Sequence, residues 1–440
     1  MLQKIRKLDV VRFNRLCSIC GLAFLVLTIG AKCAWYEHRH LPQMQDYPQY
    51  YMGGLVALHG AWDSMYPIPN PGSHTNPGFV GNSTLRPGYL ALALSHGVTE
   101  ESVRYMQPPP LALFLIPLAL LPLKLSYYFW VLLLILCAWG IGRQAGTILE
   151  MSLGRPSHGF GFLVLLICLS PQAHRWIRVG NMSVIIGWLI GYAVIELVRR
   201  DGPRSAIAMT LGTLAKYALL VLGPLQIAMR RWRTIAWEIA LMIAILIIAF
   251  LVMGAAPFQT FLHEIAPTLG RTSTIAENSA IYAFILRLKG LEDDSTLSQA
   301  CKTGFHLLEL GSLLLILALV LLRPQKFWNR PNRIFAAATA LVAWLLLFSP
   351  IFWEHYHAYL APFWGWLAFE ATRSRARMIV AILIVALAYL PTSILLSHLH
   401  FAQLPEPLFS HLMWSTVIMF LFAIDRLARD RANDPPECPA

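Results

Sequence analysis

Along this chain, long apolar runs alternate with short links in which the basic residues collect. The runs at 17–34, 235–253, 307–322, 378–396 and 408–424 carry few charges. About 20 apolar residues rising 1.5 Å each suffice to cross a hydrocarbon core. A soluble fold cannot bury so many segments that are apolar on every face. The pattern predicts an all-α polytopic membrane protein of about 12 transmembrane helices. Residues 1–425 read as one transmembrane domain, and 426–440, with three prolines, as a disordered cytoplasmic tail.

Composition agrees: 57% of residues are hydrophobic and 13% charged. A net charge of +12 would suit a nucleic-acid binder, but the positions of the basic residues exclude that reading. They sit in the links: Lys4, Arg6, Lys7, Arg12 and Arg15; Arg230, Arg231 and Arg233; Arg323, Lys326, Arg330 and Arg333; Arg373, Arg375 and Arg377; Arg426, Arg429 and Arg431. Basic links of this kind are cytoplasmic topology signals. The N-terminus is therefore expected inside. The basic start and apolar core resemble a signal peptide, but Ala31-Lys32-Cys33 is a poor cleavage site, so an uncleaved anchor is expected.

The first helix then delivers residues 35–107 outside as a large extracytoplasmic loop rich in Pro, Gly, Asn and Tyr. Within it, residues 50–59 are too short to span and are expected to lie along the interface as an amphipathic helix. From Arg230 onward the alternation is regular, and 255–301, 349–356 and 397–407 fall outside. Between 108 and 229 it is not, because the runs 110–121 and 160–169 are short. The link Arg199-Arg200-Asp201-Gly202-Pro203-Arg204 reads as cytoplasmic, whereas a simple count places it outside. Splitting the run near Lys216 into two half-helices, with one upstream run re-entrant, removes the conflict. Asp46, Asn278 and His355 are outside under either count.

The seven cysteines form no framework. Cys17-x-x-Cys20 has redox or metal spacing but lies in an apolar helix with no second pair, and reads as packing.

Ionisable groups beside apolar segments are costly, which makes them the candidates for chemistry. Asp46 precedes Tyr47, Tyr50 and Tyr51. A partly desolvated carboxylate there can take a proton from a sugar hydroxyl; the alternative is a helix N-cap, a role Asp fills well. Residues 349–357 hold Glu354, His355 and His357 with Trp353 and Tyr356. An aromatic belt accounts for the rings but not for the acid and two histidines, which can donate to a phosphate or shuttle protons. A zinc site would need a third ligand. Lys216 stands alone among Leu and Ala, suited to a lipid phosphate or to structural pairing. Glu277-Asn278-Ser279 is polar and outside. Glu292-Asp293-Asp294 reads as a solvated loop, since no further metal ligands flank it.

Taken in order, several stretches resemble glycosyltransferase family 87. They are Asp46 with Tyr50, Gly53, Gly60 and Tyr66; Tyr105-Met106-Gln107-Pro108-Pro109 leading to Pro117, Pro122 and Trp130; Ser170-Pro171 and Gly180-Asn181; Lys216-Tyr217; Glu277-Asn278-Ser279; and Ser349-Pro350-Ile351-Phe352-Trp353-Glu354-His355-Tyr356. The likeness covers roughly residues 46–362. It implies a GT-C-type helix bundle and a polyprenyl-phosphate sugar donor, with mannose or another hexose the sugar. It also implies a lipid or glycan acceptor outside the plasma membrane and inversion at the anomeric carbon. Asp46 is then the base and His355 a second essential group near the donor phosphate. Lys216, His357, Asn278 and Tyr105 are the further donor-phosphate or lipid-binding candidates. Where the family often has Gly-Gln-x-Asn, this chain has Gly180-Asn181-Met182-Ser183, which leaves the donor contacts there open. No cofactor or metal is implied, and the partners are donor, acceptor and membrane lipids.

The main alternative is a transporter or flippase of lipid-linked saccharides. That would keep charges at mid-membrane and usually show internal repeats, whereas here the polar clusters fall in outer loops. A non-enzymatic membrane subunit and a ligase or polymerase using lipid-diphosphate glycans are the remaining classes.

Overall fold

The computed structural model describes residues 2–38, 46–69, 83–98, 104–269, 272, 278–291, 297–389 and 410–429. After α1 (Leu2–His38), helices α2 (Tyr47–His59) and α3 (Pro87–Ser95) flank a small ribbon, β1 (Ile68–Pro69) antiparallel to β2 (Ser83–Thr84). α4 (Pro109–Ala119) leads into α5 (Leu123–Leu153), then α6 (Gly159–Cys168), α7 (Pro171–Val179), α8 (Ser183–Arg199), α9 (Pro203–Lys216) and α10 (Gly223–Ala228). α11 (Trp232–Met253) reaches three short pieces, α12 (Ala256–Thr260), α13 (Ala266–Leu269) and α14 (Ile281–Leu288). α15 (Gln299–Leu321), α16 (Pro331–Phe348), α17 (Trp364–Ala371), α18 (Arg375–Tyr389) and α19 (His411–Arg429) complete the described chain. Glu277, Glu292, Asp293, Asp294 and the tail from 430 lie outside the described residues.

The chain is an all-α membrane protein, and its described residues do not supply the full count of about 12 transmembrane helices. Among the described residues six helices are long and apolar enough to cross: Asp9–Trp35 within α1, and α5, α11, α15, α16 and α19. A seventh results if α6 and α7, bent by 49°, are one span. Three other apolar runs are shortened by residues or turns that stop helices. Pro171 cannot supply the N–H that would continue α6, and the Ser170 hydroxyl caps the restart by accepting from Ala173 N at 2.9 Å. α4 starts on Pro109 and carries Pro117.

The run around Lys216 breaks in the same way. α9 ends on Lys216, Tyr217 adopts a left-handed φ of 54°, and a 3₁₀ turn over Ala218–Leu222 leads into α10. Two half-helices result, with Lys216 at their tip. The Arg-rich links on either side of this hairpin meet. Asp201 Oδ1 accepts from Thr234 N and Oγ1, each at 2.8 Å, and Arg231 donates to Val198 O at 3.3 Å. Both links therefore share one end of the bundle. Lys216 lies 14 residues up α9, or about 20 Å away.

α5, α8 and α16 pack together as the buried centre. α11 is the opposite case: of its side chains only Thr234, Ala249 and Met253 are buried. A helix apolar all round with its surface outside the protein is stable only where the surroundings are apolar as well.

The helix expected along the interface over 50–59 runs from Tyr47 to His59, and most of its side chains are buried. It packs on α4. A Cβ on Gly53 would stand 2.4 Å from the Tyr105 ring, so only glycine admits that ring against the helix.

Candidate functional site

Asp46 stands at the entry to α2 with φ −105° and ψ −18°, and its carboxylate makes no bond to the helix. An N-cap side chain accepts from the second or third helical N–H, and the second position here is Pro48, which has none. The backbone N–H of Asp46 donates to Val179 O at 3.1 Å, fixing the residue on the end of α7. Its Oδ2 accepts from Asn181 Nδ2 at 2.7 Å.

Asn181 follows Gly180, which ends α7 in the left-handed region at φ 72° and whose carbonyl accepts from Trp130 Nε1 at 2.9 Å. The Asn181 Oδ1 accepts from Ser183 Oγ at 2.6 Å, Ser183 N at 3.0 Å and Lys216 Nζ at 2.9 Å. Lys216 Nζ also reaches Ser183 Oγ at 3.3 Å and lies 4.2 Å from the centre of the Tyr356 ring. A cation over an aromatic face is attracted by the ring quadrupole. Residues about 135 and 35 positions apart thus meet in one polar cluster. Asp46 and Lys216 both keep part of their surface exposed.

The third contribution comes from the 3₁₀ segment Glu354–Tyr359. A Cβ on Gly187 would fall 2.4 Å from the Ala358 carbonyl oxygen, so glycine lets α8 press against this segment. His355 is buried, its ring 4.7 Å from that of Tyr356, and its Nε2 has no hydrogen-bond partner. Glu354 pairs with Arg175 of α7 at 2.6 Å.

These surroundings set the protonation states. Burial raises the Asp46 carboxyl above the usual carboxylate range, against the Asn181 hydrogen bond and the Lys216 charge, which lower it. Burial, then the Lys216 and Arg175 charges, hold the His355 imidazole well below its ordinary value. A neutral imidazole still donates from one nitrogen.

The other candidates are placed differently. Asn278 is fully buried. Its Oδ1 accepts from Phe352 N at 2.7 Å and Ala280 N at 3.2 Å, and its Nδ2 donates to Pro350 O at 3.1 Å. It ties down the loop that carries His355. Tyr105 donates to Pro108 O at 3.1 Å and faces Tyr66, with ring centres 5.9 Å apart. It belongs to a tyrosine cluster beneath α2. His357 is fully buried, its ring 6.1 Å from that of Trp364 and neither nitrogen hydrogen-bonded. Among the described residues no three His, Cys, Asp or Glu side chains converge as a metal site would require.

Sequence reasoning noted Asn181 without giving it a role and missed Ser183, Tyr356 as the platform under Lys216, and the Arg175–Glu354 pair. The available signal was a polar Asn-x-Ser directly after a helix-ending glycine and ahead of an apolar run.

A family model described as glycosyltransferase family 87 matches residues 105–350, more than half of the chain. No curated protein and no solved structure matches it.

Proposed function

The chain belongs to glycosyltransferase family 87, and from that premise we propose that it moves a hexose, mannose first among them, from a polyprenyl-phosphate donor to a lipid or glycan hydroxyl. The reaction is placed on the extracytoplasmic face of the plasma membrane. The observation that carries this reading is the Asp46 carboxylate, freed from any capping role and gathered with Lys216 and the His355 segment.

The reading assigns each group one task. Asp46 takes the proton of the acceptor hydroxyl as its oxygen bonds to the anomeric carbon. The bond from that carbon to the phosphate oxygen breaks on the opposite face, and the configuration inverts. The departing polyprenyl phosphate gains negative charge, which the Lys216 ammonium and an N–H of His355 meet. Preorganised donors aimed at developing charge are commonly the largest catalytic contribution. The raised Asp46 pKa makes a better proton acceptor than an ordinary carboxylate, and partial exposure leaves the site open to substrate. Glu354 is tied to Arg175, so Asp46 is the carboxylate given the base role. Asn278 and Tyr105 support the walls, the first through the His355 loop and the second through α2.

The test is transfer by the purified protein in lipid nanodiscs, supplied with polyprenyl-phosphate mannose or glucose and an envelope lipid extract as acceptor. A new glycolipid formed from one of these donors is expected. Transfer from nucleotide sugars alone would overturn the reading.

A further inference from the structure

Asn181 is 5% exposed, and its one planar amide faces two opposite charges. The orientation of that amide is fixed by its surroundings. Lys216 Nζ, Ser183 Oγ and Ser183 N all point at Oδ1, and the first and last of these can only donate. Turned over, the NH₂ end would meet an ammonium and a backbone N–H while the carbonyl met the Asp46 carboxylate. Those three contacts would then be repulsive, and only the Ser183 hydroxyl could adapt by accepting.

We infer that Asn181 is a positioning residue for the transfer reaction: its amide ties the Asp46 carboxylate and the Lys216 ammonium to opposite ends of one planar group, so that the two share a site without forming an ion pair. The inference rests on the reading of Asp46 as the base. A direct pair would bind the carboxylate to the cation. The acceptor hydroxyl would then have to compete for Asp46, and the leaving phosphate for Lys216. With the amide between them, Asp46 Oδ1 accepts no hydrogen bond from the described residues, and Lys216 keeps part of its surface open. The titratable groups that face Asp46 are Tyr50 from α2, Lys216 from α9 and Tyr356 from the 3₁₀ segment. All three are neutral or cationic near pH 7, so removing the amide donor leaves no other anion to mask its effect.

Asn181→Asp separates this role from a packing role. The substitution keeps the shape and an oxygen for Ser183 N, an Asx-turn bond two residues on that Asp makes as Asn does. It replaces the NH₂ end with a second carboxylate oxygen against Asp46. Facing carboxylates share a proton and raise one pKa strongly. The expected result is an unchanged melting temperature, kcat lowered about 10²-fold or more, and an acid limb of the pH–rate profile moved to higher pH. Asn181→Ser is the second variant: it retains the oxygen for Ser183 N but reaches neither charge, and the same losses are expected. Polyprenyl-phosphate mannose is the donor in each assay, with Asp46→Asn run in parallel. If Asp46→Asn is inactive while both Asn181 variants keep wild-type kcat and acid limb, the positioning role falls and the base stands. An active Asp46→Asn protein overturns both.

Discussion

The Asp46 carboxylate takes its hydrogen bond from Asn181, across 135 residues of chain, and none from the helix it immediately precedes. Pro48 removes one of the two N–H groups a cap could use, and the carboxylate turns toward the polar cluster instead.

That geometry makes Asp46→Asn informative. Asn is isosteric, and its amide oxygen can still accept from Asn181 Nδ2, so fold and donor binding should persist. Loss of a general base should lower turnover by about 10²–10⁴. Single-turnover rates with saturating polyprenyl-phosphate mannose, beside a donor-binding isotherm, check it; near wild-type transfer would remove Asp46 from the base role.

The pH profile follows from the directions of two shifts. Asp46 must be ionised to accept a proton, and burial raises its pKa. Activity should therefore be lost as pH falls through a value above the usual carboxylate range. His355 is held well below its ordinary pKa and stays neutral across the same interval, so protonation of His355 should add no acid limb of its own near the usual histidine value. A profile of kcat against pH from 4 to 8 decides; a flat line down to pH 4 would contradict the assignment of Asp46.

Much of this site was legible beforehand, and the unread parts share a physical cause. Asp46, Lys216 and His355 each stand out because a polar group beside an apolar segment must have a reason to be there. The break at Lys216 was one of two openings that the charge pattern left, and the Asp201–Thr234 contact is what selects it. Asn181 was hard to read because its role is a pairing with residues 135 and 35 positions away, and no local period encodes that. The positions of the helices within the bundle were hard to read for a related reason. Apolar content alone does not separate α11, almost wholly outside the protein, from α16, whose side chains are mostly buried. Alanine does not separate them cleanly either: α16 carries Ala336, Ala337, Ala338, Ala340 and Ala343, and α11 carries Ala236, Ala240, Ala244 and Ala249.

A divalent ion should not be required. The proposed donor already carries a phosphate leaving group, and Lys216 with His355 supplies the positive and hydrogen-bonding partners. Transfer rates in excess chelator should match those in buffer. Activity abolished by chelator and restored by magnesium or manganese would refute this.

Sidedness is open to labelling in intact cells. In a cysteine-free background, Asp63→Cys, at an exposed position just beyond α2, should react with an impermeant maleimide from outside. Arg204→Cys, in the link that meets Thr234, should react only after permeabilisation. The reverse pattern would invert the proposed orientation and place the site in the cytoplasm.

Asn278 is the sharpest test of how a residue near the site differs from a residue in it. Its amide bonds the backbone at Pro350, Phe352 and Ala280, and Ser279 N adds a bond to Phe352 O at 2.7 Å. Asn278→Ala strands buried backbone groups, each costing about 1–3 kcal/mol. The loop carrying His355 should then loosen, so melting temperature and kcat should fall together. A direct donor contact predicts something else: weaker donor binding with the melting temperature unchanged. A second variant separates the two further. Gly187→Ala deletes no hydrogen-bonding side chain, yet its Cβ would meet the Ala358 carbonyl oxygen at 2.4 Å and displace the same segment. If Asn278 acts through the loop, both variants should lose kcat while their donor affinity changes little. If Asn278→Ala alone raises the donor dissociation constant, Asn278 contacts the donor and the supporting role assigned to it is wrong.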